Sequence, residues 1–222
     1  MIRTALITGC SRGIGLKIKD LFLAMDYQVI APNRSELDLA DRESVQKFLQ
    51  GFRQKRIDVL VNNAGENPIK LLPDIDLATW DRIQQINLTS PMMLIQALAP
   101  KMAEQNYGRI VNISSIYSGR ARAGRGIYSS SKAGLDAITR TAAVEYSAKG
   151  VLINSVCPGF IDTELTRKNN SPEQIQKLLE RVPFGNLGNT NDVAELVWFL
   201  ASDKNQFVTG QSWNIDGAFS IA

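Results

Sequence analysis

The 222 residues contain no histidine. That excludes a Ser-His-Asp triad, a Cys-His dyad and any His-ligated metal site, and no metal is expected. Proton transfer must then fall to Tyr, Lys, Cys, Asp or Glu. One pair has the spacing for it. Tyr128-Ser129-Ser130-Ser131-Lys132 sets a phenol and an ammonium four residues apart, on one face of a helix. A free tyrosine, with a pKa of about 10, is a poor base at neutral pH. A nearby ammonium favours the phenolate and is expected to bring that pKa toward neutrality. Ser115, thirteen residues before Tyr128, offers a hydroxyl that can hold a carbonyl or alcohol oxygen. The second chemical pattern is Thr8-Gly9-Cys10-Ser11-Arg12-Gly13-Ile14-Gly15. Its glycines permit a tight turn and close backbone approach to a pyrophosphate, with a helix N-terminus behind them.

Apolar runs and helical periodicity define the elements that must carry these groups. Thr4–Thr8 reads as a buried strand ahead of the Gly-rich turn, and Ile14–Met25 as an amphipathic helix. Further strands are expected at Gln28–Ala31, Leu37–Leu39, Ile57–Val61, Arg109–Ile113, Val151–Cys157 and Ser212–Ile215. Helices are expected at Asp41–Gln54, Thr79–Gln105 (dented at Pro91 and Pro100), Tyr128–Lys149, Pro172–Arg181 and Asp192–Ala201. Strand–helix alternation predicts an α/β fold: one doubly wound, Rossmann-like domain over residues 1–222, with about seven parallel strands and helices on both faces. Only five residues, Pro32 to Glu36, separate the second and third strands. A parallel crossover needs about a dozen or more, so the connection is shortened there.

Composition narrows the class. Lys plus Arg is 25 against 22 Asp plus Glu, a charge of +3 that leaves no nucleic-acid footprint. No run approaches about 18 apolar residues, so no membrane span is expected, and the first residues do not read as a signal peptide. Cys10 and Cys157 are too isolated for a disulfide framework, which fits a reducing cytoplasm.

The ordered set of motifs resembles the short-chain dehydrogenase/reductase family over essentially the whole chain. The T-G-x-x-x-G-x-G turn, Asn62-Asn63-Ala64-Gly65, Asn87, Ser115, Y-x-x-x-K at Tyr128 and Lys132, and Pro158-Gly159 all fall in order. The resemblance implies hydride transfer between a nicotinamide dinucleotide and a ketone or secondary alcohol. Ser115 would hold the substrate oxygen and Tyr128 would exchange its proton. Lys132 would also bond the nicotinamide ribose, and Asn87 would link Lys132 to a water relay. It further implies cofactor contacts at Gly9, Ser11, Arg12, Ile14, Asn63, Ala64, Gly65, Pro158, Gly159, Ile161 and Thr163, with Asp38 and Leu39 beside the adenine. NAD-preferring relatives end the second strand in an acidic residue. Here that position is Asn33, with Arg34 beside it and Arg12 in the Gly turn, a setting that favours NADP(H) over NAD(H). Glu36 complicates this if the shortened connection swings it toward the ribose.

The pattern is most similar to 3-oxoacyl-(acyl-carrier-protein) reductases, including PFGNLG and FVTGQSWNIDGA near the C-terminus. Lys149 falls where those enzymes carry a basic residue for the carrier, but Asn106 stands where a second is expected. The stretch between Ser115 and Tyr128 lines the substrate mouth in relatives. Here it contains Tyr117, Arg120, Arg122 and Arg125, and with Phe160 it forms the expected substrate wall. The arginines suggest an anionic substrate: a carboxylate, a phosphate or an acidic carrier. A sugar, a nucleotide-linked sugar or another small ketone stays open. A non-catalytic NADP-binding sensor is the alternative of another class. An extended-type epimerase would need a larger C-terminal region than is available. Residues 163–182 are expected to form a lid. Small residues on the long helices (Ala133, Ala137, Ala142, Ala143) suit packing across a two-fold axis, so a homodimer or homotetramer is expected.

Overall fold

Odd and even positions of the central strands separate cleanly to two faces, which places helices on both. The computed structural model describes residues 2–52 and 55–222. Its strands are β1 (Thr4–Ile7), β2 (Gln28–Ile30), β3 (Val59–Asn62), β4 (Gly108–Ile113), β5 (Val151–Pro158) and β6 (Ser212–Ile215). All pair in parallel, in the order β2-β1-β3-β4-β5-β6. The helices are α1 (Gly13–Ala24), α2 (Arg42–Gln50), α3 (Leu77–Gln84), α4 (Ser90–Glu104), α5 (Gly126–Tyr146), α6 (Glu164–Asn169), α7 (Pro172–Leu179) and α8 (Thr190–Ala201).

Ala5, Ile7, Val59, Val61, Val111, Ile113 and Val156 face one layer, where Ile18 and Phe22 of α1 meet Val193, Val197 and Leu200 of α8. Leu6, Leu60, Ile110 and Ile153 face the other, against Val45, Leu94, Leu98, Met102, Ala142 and Ala143 of α2, α4 and α5. Strands buried on both faces read as near-continuous apolar runs, and these do. This is a Rossmann-like α/β fold.

The seven-strand expectation is corrected to six among the described residues. Leu37–Leu39 forms no strand. Leu37 and Leu39 are buried in the core, which explains their apolar signal. Asp38 between them makes local bonds instead of ladder bonds. Its carboxylate accepts from Ala40 N at 3.0 Å, and its own N–H donates to Ser44 Oγ at 3.0 Å. The chain thus passes from β2 through a turn into α2. The shortening removes a strand as well as a helix, and β2 becomes the sheet edge. Three residues followed by Pro32 offer little ladder for edge-to-edge pairing.

The long predicted helix over 79–105 begins at Leu77 and is broken in register. Between α3 and α4, Gln85–Thr89 forms a π turn, and Asn87 sits within it. The end of the predicted helix at Gln54 lies outside the described residues. A buried polar chain crosses the sheet toward α5. Asn62 Nδ2 donates to Asn112 Oδ1 and Asn112 Nδ2 to Thr139 Oγ1, both at 2.8 Å, and Ser155 Oγ lies 2.9 Å from Thr139 Oγ1. It fixes the helix that carries Tyr128 and Lys132 against β3, β4 and β5.

Candidate active site

Sheet order reverses at β1, where β2 leaves to one side and β3 to the other. Folds of this kind bind ligands at the carboxyl ends of strands beside such a switch. A cleft of about 750 Å³ opens there. It is lined by every residue assigned above to the cofactor, by Tyr117, Arg122, Arg125 and Phe160 of the substrate wall, and by Ser115, Tyr128 and Lys132. Asn87 and Arg120 do not line it.

At the β1 end, the Gly turn is shaped for close approach. Gly9 and Gly13 have φ of +72° and +56°. A Cβ at Gly15 would stand 2.2 Å from Gly9 O and 2.3 Å from Asn63 Nδ2. Asn63 Nδ2 donates to Thr8 O (2.9 Å) and Gly9 O (3.0 Å). The Asn63 and Ala64 amides both donate to Thr8 Oγ1. Asn63 and Ala64 therefore brace the turn from β3. Thr163 caps α6 and stands across the cleft from Gly13. Gly159 packs against Asp216, where a Cβ would meet Asp216 Cβ at 2.6 Å. A bare backbone cradle at a helix start fits a dinucleotide pyrophosphate.

At the β2 end, Asn33 closes its own turn, its Oδ1 accepting from Ser35 N and Glu36 N. Glu36 is held on Asn33 N at 2.8 Å and does not line the cleft, which removes it from the ribose side. Arg34 and Arg12 line the cleft with largely exposed side chains, loosely paired to Asp38 (3.3 Å) and Glu164 (3.7 Å). Hydrogen bonds from Ala40 N and then Arg34 hold the Asp38 carboxyl below its ordinary range.

At the β4 end, Ser115 is buried as the strand finishes, its hydroxyl accepting from Tyr117 N at 3.2 Å and standing near enough to the Tyr128 phenol to favour its charged form. One turn further along α5, Lys132 Nζ donates to Ile113 O at 2.7 Å and lies 5.8 Å from the centre of the Tyr128 ring. Burial pushes the Lys132 ammonium down to about 8, partly offset by the carboxylate of Asp136. Burial also raises Tyr128. This corrects the expectation that the lysine brings the phenol toward neutrality: here desolvation is the largest effect, and it raises the phenol. The relief comes from the Ser115 hydroxyl and then the Arg125 charge. Tyr128 is thus a protonated donor at neutral pH.

Asn87 is fully buried behind this group. Its Nδ2 donates to Glu66 O (2.8 Å) and Ser131 Oγ (3.1 Å), and its Oδ1 accepts from Glu66 N (2.9 Å). It meets Lys132 only across Gly65, where a Cβ would lie 3.1 Å from Asn87 Oδ1 and 3.5 Å from Lys132 Nζ. Asp136 escaped the sequence reading, although its place four residues after Lys132 marked the same helix face. Both thiols are held protonated by burial, Cys10 pushed up to about 11 and Cys157 to about 12.

The three arginines of the mouth separate. Arg120 donates to Phe219 O at 2.7 Å and lies over the Phe219 ring, outside the cleft. Arg122 is exposed and donates to Tyr117 Oη at 3.0 Å. Arg125 is buried and donates to Asn67 Oδ1. The expected lid holds two helices, α6 and α7, and its α6 end lines the cleft through Thr163, Glu164 and Thr166. Lys149 and Asn106 lie at the opposite sheet edge, ahead of β5 and β4. With α5 between them, Lys149 is roughly 30 Å from Tyr128 at 1.5 Å per residue.

Comparison with known proteins agrees with this geometry. A family model described as enoyl-(acyl carrier protein) reductase matches residues 23–220. The 3-oxoacyl-(acyl-carrier-protein) reductase of Thermotoga maritima is 35% identical, covering 99% of this chain and 98% of that protein. An acetoacetyl-CoA reductase of Shinella zoogloeoides is 34% identical, covering 98% of both. Among solved structures, a gluconate 5-dehydrogenase from Burkholderia cenocepacia, in complex with NADP and tartrate, superposes with a TM-score of 0.93 at 28% identity, over 99% of this chain and 96% of that one.

Proposed function

The chain belongs to the short-chain dehydrogenase/reductase family, as an oxidoreductase of the 3-oxoacyl reductase type, and from that premise we propose that it interconverts a ketone and a secondary alcohol with NADP(H). The observation that carries this reading is the convergence of Ser115, Tyr128 and Lys132 in the same cleft as the bare Gly9–Gly15 cradle. One domain would serve both cofactor and substrate.

NADPH, when bound, supplies the hydride that turns the carbonyl carbon into a carbinol carbon. The Gly turn would hold its pyrophosphate and Lys132 its nicotinamide ribose. Arg34 and Arg12 would take the 2′-phosphate, with Asn33 neutral and Glu36 turned away. Ser115 Oγ holds the substrate oxygen. Tyr128 Oη, kept protonated by burial, gives that oxygen its proton. The Lys132 ammonium, 5.8 Å from the ring centre, offsets the phenolate charge left behind. In the other direction the same atoms run in reverse. The NADP complex of the gluconate 5-dehydrogenase supports the cofactor assignment. The buried free thiols suit a reducing compartment such as the cytoplasm.

A 3-oxoacyl thioester is the reference substrate, from the two reductases above. The remote position of Lys149 disfavours carrier docking beside this chain's own cleft. A small anionic ketone is the second reading, favoured by Arg125. The test is NADPH oxidation with acetoacetate, its methyl ester and acetoacetyl-N-acetylcysteamine. Turnover is expected with at least one, falling by about 10³-fold in Tyr128→Phe. Undiminished turnover in Tyr128→Phe would remove the mechanism. Equal use of NADH would remove the cofactor preference.

A further inference from the structure

Four guanidinium-bearing residues on the cleft wall besides Arg125 have visible work. Arg12, Arg34 and Arg82 face Glu164, Asp38 and Glu66, and exposed Arg122 donates to Tyr117 Oη. Arg125 differs. It is 6% exposed, yet among the described residues no carboxylate lies within ion-pair distance of it. Its side-chain hydrogen bond goes to a neutral amide oxygen, Asn67 Oδ1, and its nearest ring is Tyr117, 5.8 Å from the guanidinium carbon. A guanidinium carries five donor hydrogens, and a buried charge is costly unless paired. Arg125 lines the cleft, so its unmet pairing points into the space a substrate would fill.

Its place on the chain fixes what that substrate must look like. Arg125 immediately precedes α5, and Ser129 N donates to Arg125 O at 2.7 Å. Tyr128 is three residues on, in the first turn of α5, and both side chains line the same cleft, with the Arg125 charge acting on the Tyr128 phenol. The first turn of α5 has no acidic residue and no side-chain cap, so its amide end also favours negative charge. An anion paired with Arg125 therefore sits only a few atoms from an oxygen held at Ser115 and Tyr128. A thioester has no charge that close to its 3-oxo group, because its phosphate lies a whole pantetheine arm away.

We infer that the substrate is an oxo acid, or in reverse a hydroxy acid, whose carboxylate lies a few carbons from the reacting centre and pairs with Arg125. This rests on the reading of Ser115, Tyr128 and Lys132 as the reacting end of the cleft. Arg125 would be a specificity-determining residue, and Arg122 would attract the anion at the mouth. Arg120 takes no part, because Phe219 holds it.

The test is calorimetric titration of the NADP⁺-saturated protein with acetoacetate, 4-oxopentanoate and 5-oxohexanoate, each beside its methyl ester. At least one acid is expected to bind about 30-fold or more tightly than its ester, the scale of a charge-assisted bidentate contact. In Arg125→Gln, whose amide can still donate to Asn67, that ratio is expected to fall close to one. Esters binding as tightly as all three acids would overturn the inference, and so would a preference that survives in Arg125→Gln. The wild-type comparison stands even if the variant does not fold. Binding is read apart from turnover. Acid preference without Tyr128-dependent turnover would sink only the catalytic reading. Turnover of neutral esters and thioesters without acid preference would sink only this one.

Discussion

Tyr128 and Lys132 occupy the same buried corner, and burial acts on them in opposite directions. It raises the phenol and lowers the ammonium to about 8, so each is biased toward its neutral form. Lys132 is still charged at neutral pH with little margin, and the Asp136 carboxylate is what preserves it. Asp136→Asn removes that support and lowers the lysine further. A lysine is charged below its pKa, so any property that needs the ammonium is lost from the alkaline side at a lower pH. The expected outcome is that the alkaline limb of NADPH affinity moves down by about one pH unit. Fluorescence titration of NADPH between pH 6 and 9.5 reads it. An unmoved limb, with affinity changed equally at every pH, would make Asp136 a packing residue only. Tyr128, Lys132 and Ser115 were legible because their spacing maps directly onto a helix face and a strand end. The fates of Arg120, Arg122 and Arg125 were not. Their directions depend on Phe219, Tyr117 and Asn67, which meet them only after folding.

At the level of elements, most strands and helices were legible because a sheet covered on both faces leaves uninterrupted apolar runs. The exception is instructive. Leu37 and Leu39 carry the strand signal without the strand, because burial alone produces it and a three-residue run cannot distinguish ladder from loop. The break at Gln85–Thr89 was equally invisible, since a single π turn shifts the register once and leaves each flanking helix with its own period. Its consequence is local: Asn87 is buried within the break, bonded on both sides to Glu66. What holds α5 in register is the polar chain from Asn62 to Ser155. Asn112→Ala removes its middle member and leaves Asn62 Nδ2 without a partner, while Thr139 Oγ1 keeps Leu135 O and Ser155 Oγ. The expected loss is about 3 kcal/mol, from one unpaired buried amide and a small cavity. Urea unfolding checks it, and a loss under about 1 kcal/mol would mean that water or Ser155 replaces the missing amide.

On the scale of the whole molecule, the small residues that suggested self-association divide between two tasks. Ala142 and Ala143 are buried in this chain's own core, so they cannot also meet a partner. Ala137 and Val144 are exposed on α5, with Val144 82% exposed, on an open face they share with Arg140 and Thr141. A second open region gathers near the C-terminus, where Phe207, Trp213 and Ile221 are exposed and β6 forms the other sheet edge. Isolated exposed apolar side chains are ordinary, but two such regions on one chain suit a closed symmetric assembly. The proposal is therefore a homodimer or homotetramer. Sedimentation velocity at micromolar concentration is expected to show a species at least twice the 24.5 kDa chain. Val144→Glu places a charge at the centre of the α5 face. If that face is an interface, the variant sediments as a smaller species with its fold intact by circular dichroism. A wild-type monomer would refute the assembly. An unchanged species in Val144→Glu would move the interface to the β6 edge, where the same substitution at Phe207 becomes the deciding measurement.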